Sequence, residues 1–284
     1  MFRIQGVSDR TWLIPGGTGG LGHAVAVAVA AAIKEDGSNA KVVITSRDPA
    51  KAQLSAQQID PERVIGLALD TTSDASVGEF WKQVEHLRPT RFAYIAGGVN
   101  SKAKTAPGLT VHDIPLEAII DQFNVTLFGA IRAQHLIGNA MIAQNLDDSG
   151  RLNDDLVFLH TSSASAVHPL PNVAPYSAAM RGMDSMIESW QRELVTVYGS
   201  RVRVCGVRPG FVPTTQNSSL LLDPKAPDGL TDRGRTVSKG AILQRMGKPE
   251  EIAAAYLFLA SDAASFIAGT ILDVEGGFGK RPVL

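Results

Sequence analysis

Several features that would decide a protein class at once are missing from this sequence. It holds one cysteine, Cys205, so no disulfide can form within the chain and no oxidising compartment is required. Cys205 lies in the apolar run 202–207 and reads as a small buried hydrophobe rather than a nucleophile. There is no surplus of charge: 27 Lys and Arg stand against 28 Asp and Glu, a net charge of −1. Nucleic-acid and anionic-membrane partners draw on a basic excess, so neither is expected. The basic stretch 231–239 is short and interrupted and reads as a solvated loop. The longest apolar run, 24–33, is too short to cross a bilayer. Residues 1–10 carry only scattered apolar side chains and do not read as a signal peptide, so a cytoplasmic location is the expectation. His160 and His168 have no cysteine or spaced carboxylate pair nearby, so no metal site is expected. No low-complexity linker and no repeat of solenoid period divides the chain.

What is present is an alternation. Hydrophobic residues make up 44% and charged residues 19% of 284, enough for a sizeable core. Short β-rich runs at 12–14, 41–45, 64–69, 92–95, 156–160, 202–207 and 271–274 alternate with helical segments at 21–34, 49–58, 75–86, 116–143, 178–197 and 249–259. Strand–helix–strand repeated about six times predicts an α/β, Rossmann-type doubly wound parallel sheet of about seven strands with helices on both faces. Strands buried on both sides read as unbroken apolar runs, as Val42-Val43-Ile44 and Phe92-Ala93-Tyr94-Ile95 do. Residues 1–284 are read as a single domain. The polar segment 213–240, with Pro224, Pro227, Gly229 and Gly234, breaks the rhythm and reads as a long loop acting as a substrate lid.

After the first strand comes Pro15-Gly16-Gly17-Thr18-Gly19-Gly20-Leu21-Gly22, opening directly into a helix. Glycines there permit a tight turn and close approach of the backbone to a pyrophosphate, at which the helix aims its N–H groups. The second strand ends in Thr45-Ser46-Arg47. Arg47 can pair with a 2′-phosphate and Ser46 can donate to it, which favours NADP(H) over NAD(H); Asp48, next in sequence, pulls the other way.

The order and spacing of further motifs resemble the short-chain dehydrogenase/reductase superfamily along nearly the whole chain. Gly16-x-x-x-Gly20-x-Gly22 has its glycine spacing. Asp70, followed by Thr71, matches its adenine-contacting Asp. Ala96-Gly97-Gly98 resembles its Asn-Ala-Gly turn, with Ile95 where Asn is usual. Asn124 matches the helix Asn of the catalytic set. Ser163 precedes Tyr176 by the family's interval. Arg208-Pro209-Gly210-Phe211-Val212-Pro213-Thr214 resembles the turn beside the nicotinamide, and stretches at 245–253, 258–262 and 269–277 resemble the C-terminal signature. The resemblance implies Asn124, Ser163 and Tyr176 as catalytic residues. It implies a cofactor site of Gly16, Thr18, Gly19, Gly20, Leu21, Gly22, Ser46, Arg47, Asp70, Thr71, Ala96, Gly97, Gly98, Tyr176, Met180, Pro209, Gly210, Val212 and Thr214. It also implies hydride transfer between a nicotinamide and a small-molecule carbonyl or alcohol, and a homodimer or homotetramer. Trp190 serves either such an interface or packing within the chain.

One departure bears on the chemistry. The family signature is Tyr-x-x-x-Lys, and here it is Tyr176-Ser177-Ala178-Ala179-Met180. The lysine's charge favours tyrosinate and its ammonium binds ribose hydroxyls, and Met180 supplies neither. Three readings follow: a reductase using Tyr176 only as an acid, altered chemistry such as isomerisation or cyclisation, or a cofactor-binding protein without catalysis. Arg181, Lys104, Arg132 and His168 are candidates for a compensating cation. The lid offers both an apolar patch, Leu220-Leu221-Leu222, and cations, Lys225, Arg233, Arg235 and Lys239, so the substrate stays open.

Overall fold

The computed structural model describes residues 5–104, 110–215 and 217–280; residues 1–4 of the N-terminal reading and Gln216 of the lid lie outside them. Strands β1 (Trp12–Ile14), β2 (Val42–Ser46), β3 (Val64–Ala68), β4 (Arg91–Tyr94), β5 (Leu156–Thr161), β6 (Val202–Pro209) and β7 (Ile271–Val274) form one sheet in the order β3-β2-β1-β4-β5-β6-β7. Every pairing is parallel. Central strands β1, β4 and β6 are buried along their whole length, whereas the edge strands β3 and β7 are only partly covered. The expected Rossmann-type sheet is therefore present, and its inner strands are buried because helices cover both faces, with Arg91, His160, Arg203 and Arg208 among the charged or polar exceptions.

On one face lie α1 (Gly20–Asp36) and α10 (Pro249–Ala260), whose Val25, Val29, Ile33, Ile252, Tyr256 and Leu259 pack on Ile14, Ile44 and Val207. The other face carries α3 (Asp74–Val84), a long helical rod over 116–145, and α7 (Ala174–Tyr198). Phe80, Ile137, Met183 and Ile187 pack there on Leu13, Phe92 and Phe158. α2 (Pro49–Ile59) joins β2 to β3. The helix expected at 178–197 begins four residues earlier because Pro175 fits the first turn, where no backbone N–H is needed. Trp190 stacks on the buried His160 at 4.9 Å between ring centroids, so it serves packing within the chain.

Two expectations need correction. The rod over 116–145 is not uniform: α4 (Leu116–Phe123), α5 (Gly129–Ala133) and α6 (Asn139–Asn145) are joined by π-helical turns at Asn124–Phe128 and Gln134–Gly138. The segment 213–240 is not all loop. It holds α8 (Ser218–Leu221) and α9 (Asp232–Gly240), tied by a bridge between Leu222 and Leu230. α9 forms in spite of its polar sequence because Thr231 caps it, accepting from the Gly234 N–H at 3.0 Å.

The strand order reverses between β1 and β4. β2 and β3 step away to one side of β1, and β4 returns on the other. In sheets of this kind a crevice opens beyond the carboxyl ends of the strands at such a switch point.

Candidate active site

A cavity of about 500 Å³ fills that crevice. Its floor is the glycine loop. Gly16 has φ +87°, and a Cβ on it would lie 2.6 Å from the Ala96 nitrogen, so only glycine lets the first loop meet the turn after β4. The two turns are joined by Ile95 N–H donating to Pro15 O at 2.9 Å. Gly22 serves packing: a Cβ there would sit 2.3 Å from the Gly16 carbonyl oxygen. Gly19 precedes α1 with no side-chain cap, leaving first-turn N–H groups and the positive end of the helix dipole facing the cavity. Thr214, at the start of the segment 213–240, rests on Gly20, with its Cγ2 3.1 Å from where a Cβ would be.

At the β2 end, Arg47 and Lys51 both line the cavity with solvent-exposed side chains. Asp48 does not line it. Its carboxylate caps α2, accepting from Ala50 N–H at 2.9 Å and Lys51 N–H at 3.3 Å. The acid that pulled the sequence reading toward NAD(H) is thus engaged elsewhere. Asp70 accepts from the Thr72 N–H at 2.9 Å and from its hydroxyl at 2.8 Å. Those bonds hold its carboxyl below the usual range against the opposing effect of burial, with Arg47 helping.

At the opposite end, Ser163, Tyr176 and Met180 line the same cavity. Ser163 ends the β5 turn and accepts from Ser165 N–H at 3.2 Å. Tyr176 sits in the first turn of α7. Burial pushes its hydroxyl above the ordinary tyrosine range, and a hydrogen bond with Ser163 pulls it back. Met180, one turn further on, is 4% exposed and puts an apolar surface beside Tyr176. A phenol held against an apolar wall stays protonated near neutral pH and ionises only reluctantly.

Asn124 is not among the cavity-lining residues, whereas Val125 and Thr126 are. The π turn starting at Asn124 bonds its carbonyl to the Gly129 N–H, five residues on. Thr126 is held by Gln122, whose Nε2 donates to its hydroxyl at 3.1 Å and to Gly98 O at 2.9 Å. Gly22 also stands outside the lining. The other expected site residues, from Gly16 to Thr214, border this one cavity. Lys51, Thr45 and Thr126 were missed from the sequence; the available signal for Lys51 was a second cation four residues after Arg47, in the first turn of the next helix.

Of the four candidate compensating cations, only Lys104 lines the cavity. Arg132 pairs with Asp74 and donates to Thr71 O at 3.0 Å. Arg181 is exposed, 3.9 Å from Asp184. His168 packs edge-on against Phe278. From the segment 213–240, Leu220, Leu221 and Arg233 line the cavity, whereas Arg235 is paired with Asp228 and Asp232. Among the described residues no cluster of His, Cys, Asp or Glu is suited to a metal, and no helix is long and apolar enough to cross a membrane.

The geometry has counterparts. A family model described as enoyl-(acyl carrier protein) reductase matches residues 20–279. The 3-oxoacyl-[acyl-carrier-protein] reductase FabG of Thermotoga maritima is 26% identical over 97% of this chain and 99% of its own. The 3-oxoacyl-[acyl-carrier-protein] reductase MabA of Mycobacterium tuberculosis is 28% identical over 95% of this chain and 93% of its own. A solved structure from Haemophilus influenza, named as a proposed D-mannonate oxidoreductase with NAD bound, superposes with a TM-score of 0.83 at 22% identity. It covers 99% of both chains and shares the fold.

Proposed function

The chain belongs to the short-chain dehydrogenase/reductase superfamily and is an oxidoreductase of that type, and on that premise we propose that it is an NADP(H)-dependent carbonyl reductase whose favoured direction is reduction. One juxtaposition carries the reading. Ser163 and Tyr176 share a cavity with the glycine loop and with Arg47 and Lys51. The residues fit the cofactor: a cradle that any Cβ at Gly16 would fill, free amides at the start of α1, and two cations where a 2′-phosphate would lie.

Bound NADPH supplies the hydride. Thr214, Pro209 and Gly210 border the reaction end, and Asp70 with Thr71 borders the adenine end. Ser163 steadies the Tyr176 hydroxyl, which gives its proton to the carbonyl oxygen. A neutral tyrosine is already the acid this step needs. The reverse reaction needs tyrosinate, and with Met180 in the lysine position no adjacent ammonium stabilises it. Thr126 takes the cavity position expected of Asn124. Leu220 and Leu221 offer an apolar lid, which suits the 3-oxoacyl compounds in the names of the two bacterial relatives; keto sugar acids, after the solved neighbour, are the second class to test. The working assembly is a homodimer or homotetramer, and the exposed Leu116, Ile120 and Phe128 on the 116–145 rod supply an apolar face for it.

A second reading, isomerisation or cyclisation with the cofactor as scaffold, is favoured by Met180 alone. The two part in one assay. NADPH absorbance is followed with a panel of 3-oxoacyl thioesters and keto sugar acids, on wild type and Tyr176→Phe. Consumption that falls at least about a hundredfold in the variant supports the reductase. Substrate conversion with no change in NADPH supports the second reading.

A further inference from the structure

Behind the reaction end lies a network of charge that the proposed chemistry does not use. Asp184 is 4% exposed on α7, two turns beyond Tyr176. Its Oδ1 accepts from the Ser162 hydroxyl, and its Oδ2 accepts from Arg208 Nη2 at 2.8 Å. Arg208 is buried at the end of β6 and pairs through Nη1 with Asp273 on β7. Lys280 closes the chain, donating to Asp273 at 2.7 Å and pairing with Glu275 at 2.9 Å.

The three partners of this arrangement sit on the three elements that build the reaction end. Ser162 immediately precedes Ser163, and its own N–H is fixed to Val207 O at 2.8 Å. Asp184 shares a helix with Tyr176. Arg208 immediately precedes Pro209-Gly210, and the Gly210 N–H donates to Val274 O at 3.0 Å. A buried ion pair is a poor device for stability, because desolvation of both charges offsets their attraction, and its better-attested use is to fix one arrangement among several. Leaving one partner alone is costly, so Asp184 and Arg208 each hold the other in place.

Resting on the reductase reading, we propose that Asp184, through Ser162 and Arg208, is a positioning residue that keeps Ser163, the Tyr176 helix and the Pro209-Gly210 turn in one working arrangement. It touches neither cofactor nor substrate. Its effect is on the distance between Ser163 and the Tyr176 hydroxyl, and displacements of about 1 Å at such a site cost on the order of a hundredfold in rate.

The test compares Ser162→Ala, Asp184→Asn, and the paired Asp184→Leu/Arg208→Met, which leaves no unpaired buried charge if Asp184→Leu alone fails to fold. Two quantities are read. One is kcat against the KM for NADPH with any carbonyl the wild type reduces. The other is the ¹³Cζ resonance of Tyr176 in the cofactor-free protein, assigned with Tyr176→Phe and calibrated with Ser163→Ala, which removes the Ser163 hydroxyl. The expected result is a fall in kcat of about tenfold or more for Ser162→Ala and for the paired variant, with the KM for NADPH within about twofold. The Tyr176 resonance should move toward its position in Ser163→Ala. Asp184→Asn keeps an acceptor for Ser162 but turns an N–H toward Arg208, so it should fall between the wild type and the paired variant in both. Lower thermal stability with kcat and the Tyr176 resonance unmoved overturns the proposal and leaves the network a fold-level ion pair. If the wild type reduces no carbonyl, the reductase reading fails by itself, and the resonance, which needs neither cofactor nor substrate, still decides whether Asp184 positions Tyr176.

Discussion

Replacing Met180 by lysine should move the ionisation of Tyr176, and the size of the movement follows from the helix. Residues 176 and 180 are one turn apart on α7, so their Cβ atoms lie about 5–6 Å apart on one face. An ammonium about 6 Å from the phenolate, at an effective dielectric of about 20, stabilises it by about 2.8 kcal/mol, or about two pKa units. Two effects reduce this. Met180 is 4% exposed, so the lysine is itself partly desolvated, and its head must turn into the cavity to stay hydrated. A net lowering of about one to two units is expected. The assay is the pH dependence of kcat/KM for alcohol oxidation with NADP⁺, in which Tyr176 acts as base. For Met180→Lys the acidic limb should move about one to two units toward neutral pH, and oxidation near neutral pH should rise about tenfold or more. Reduction should change less. An unmoved profile, in a variant that still binds NADPH, would refute the assignment of Tyr176 as the proton-transferring group.

Other expectations follow from single residues. Thr126→Val should lower kcat at least about fivefold while Asn124→Ala stays within about twofold, by steady-state kinetics, because only Thr126 borders the cavity. His160 is buried against Trp190 and Gln134, and burial lowers its pKa to about 3. It stays neutral in the folded chain and takes up a proton on unfolding below about pH 6.5, so its contribution to stability is complete above that pH and is lost progressively down to about pH 3. By pH 5 the loss is about 2 kcal/mol, and urea titrations of wild type and His160→Phe should show this slope only in the wild type. Gly22→Ala should destabilise by about 2–3 kcal/mol and weaken cofactor binding, because its Cβ would meet the Gly16 carbonyl at 2.3 Å; thermal melts with and without NADPH check both.

The sheet was legible because its inner strands are buried on both sides and so have no polar alternation to blur them; Val42–Ile44 and Phe92–Tyr94 read directly as strands. The glycine loop was legible because its residue type is dictated by backbone contacts that no side chain could satisfy. Arg91 marks a limit. It lies on β4, 1% exposed, with its guanidinium donating to the carbonyls of Gly6, Thr90, Asp155 and Ala260. Apart from the neighbouring Thr90, those acceptors come from three distant stretches of chain, which no local pattern could announce. The π turn beginning at Asn124 stayed hidden for a different reason: it leaves no hydrophobic signature in the spacing. The helices α8 and α9 stayed hidden because their sequences are polar and short, and what fixes them is the Thr231 cap and the Leu222–Leu230 bridge. The link from Ser162 through Asp184 to Arg208 joins residues 22 and 24 positions apart and becomes visible only once β5, α7 and β6 are side by side.

The central claim, a reductase built around an NADP(H) site, is met most directly by titrating the wild type and Arg47→Ala with NADPH and NADH and following cofactor fluorescence. The account predicts that the wild type binds NADPH in the micromolar range and at least about tenfold tighter than NADH, a difference of about 1.4 kcal/mol. Arg47→Ala should lose most of that preference while keeping its affinity for NADH. Equal or tighter binding of NADH by the wild type, or a preference that Arg47→Ala leaves intact, would contradict it.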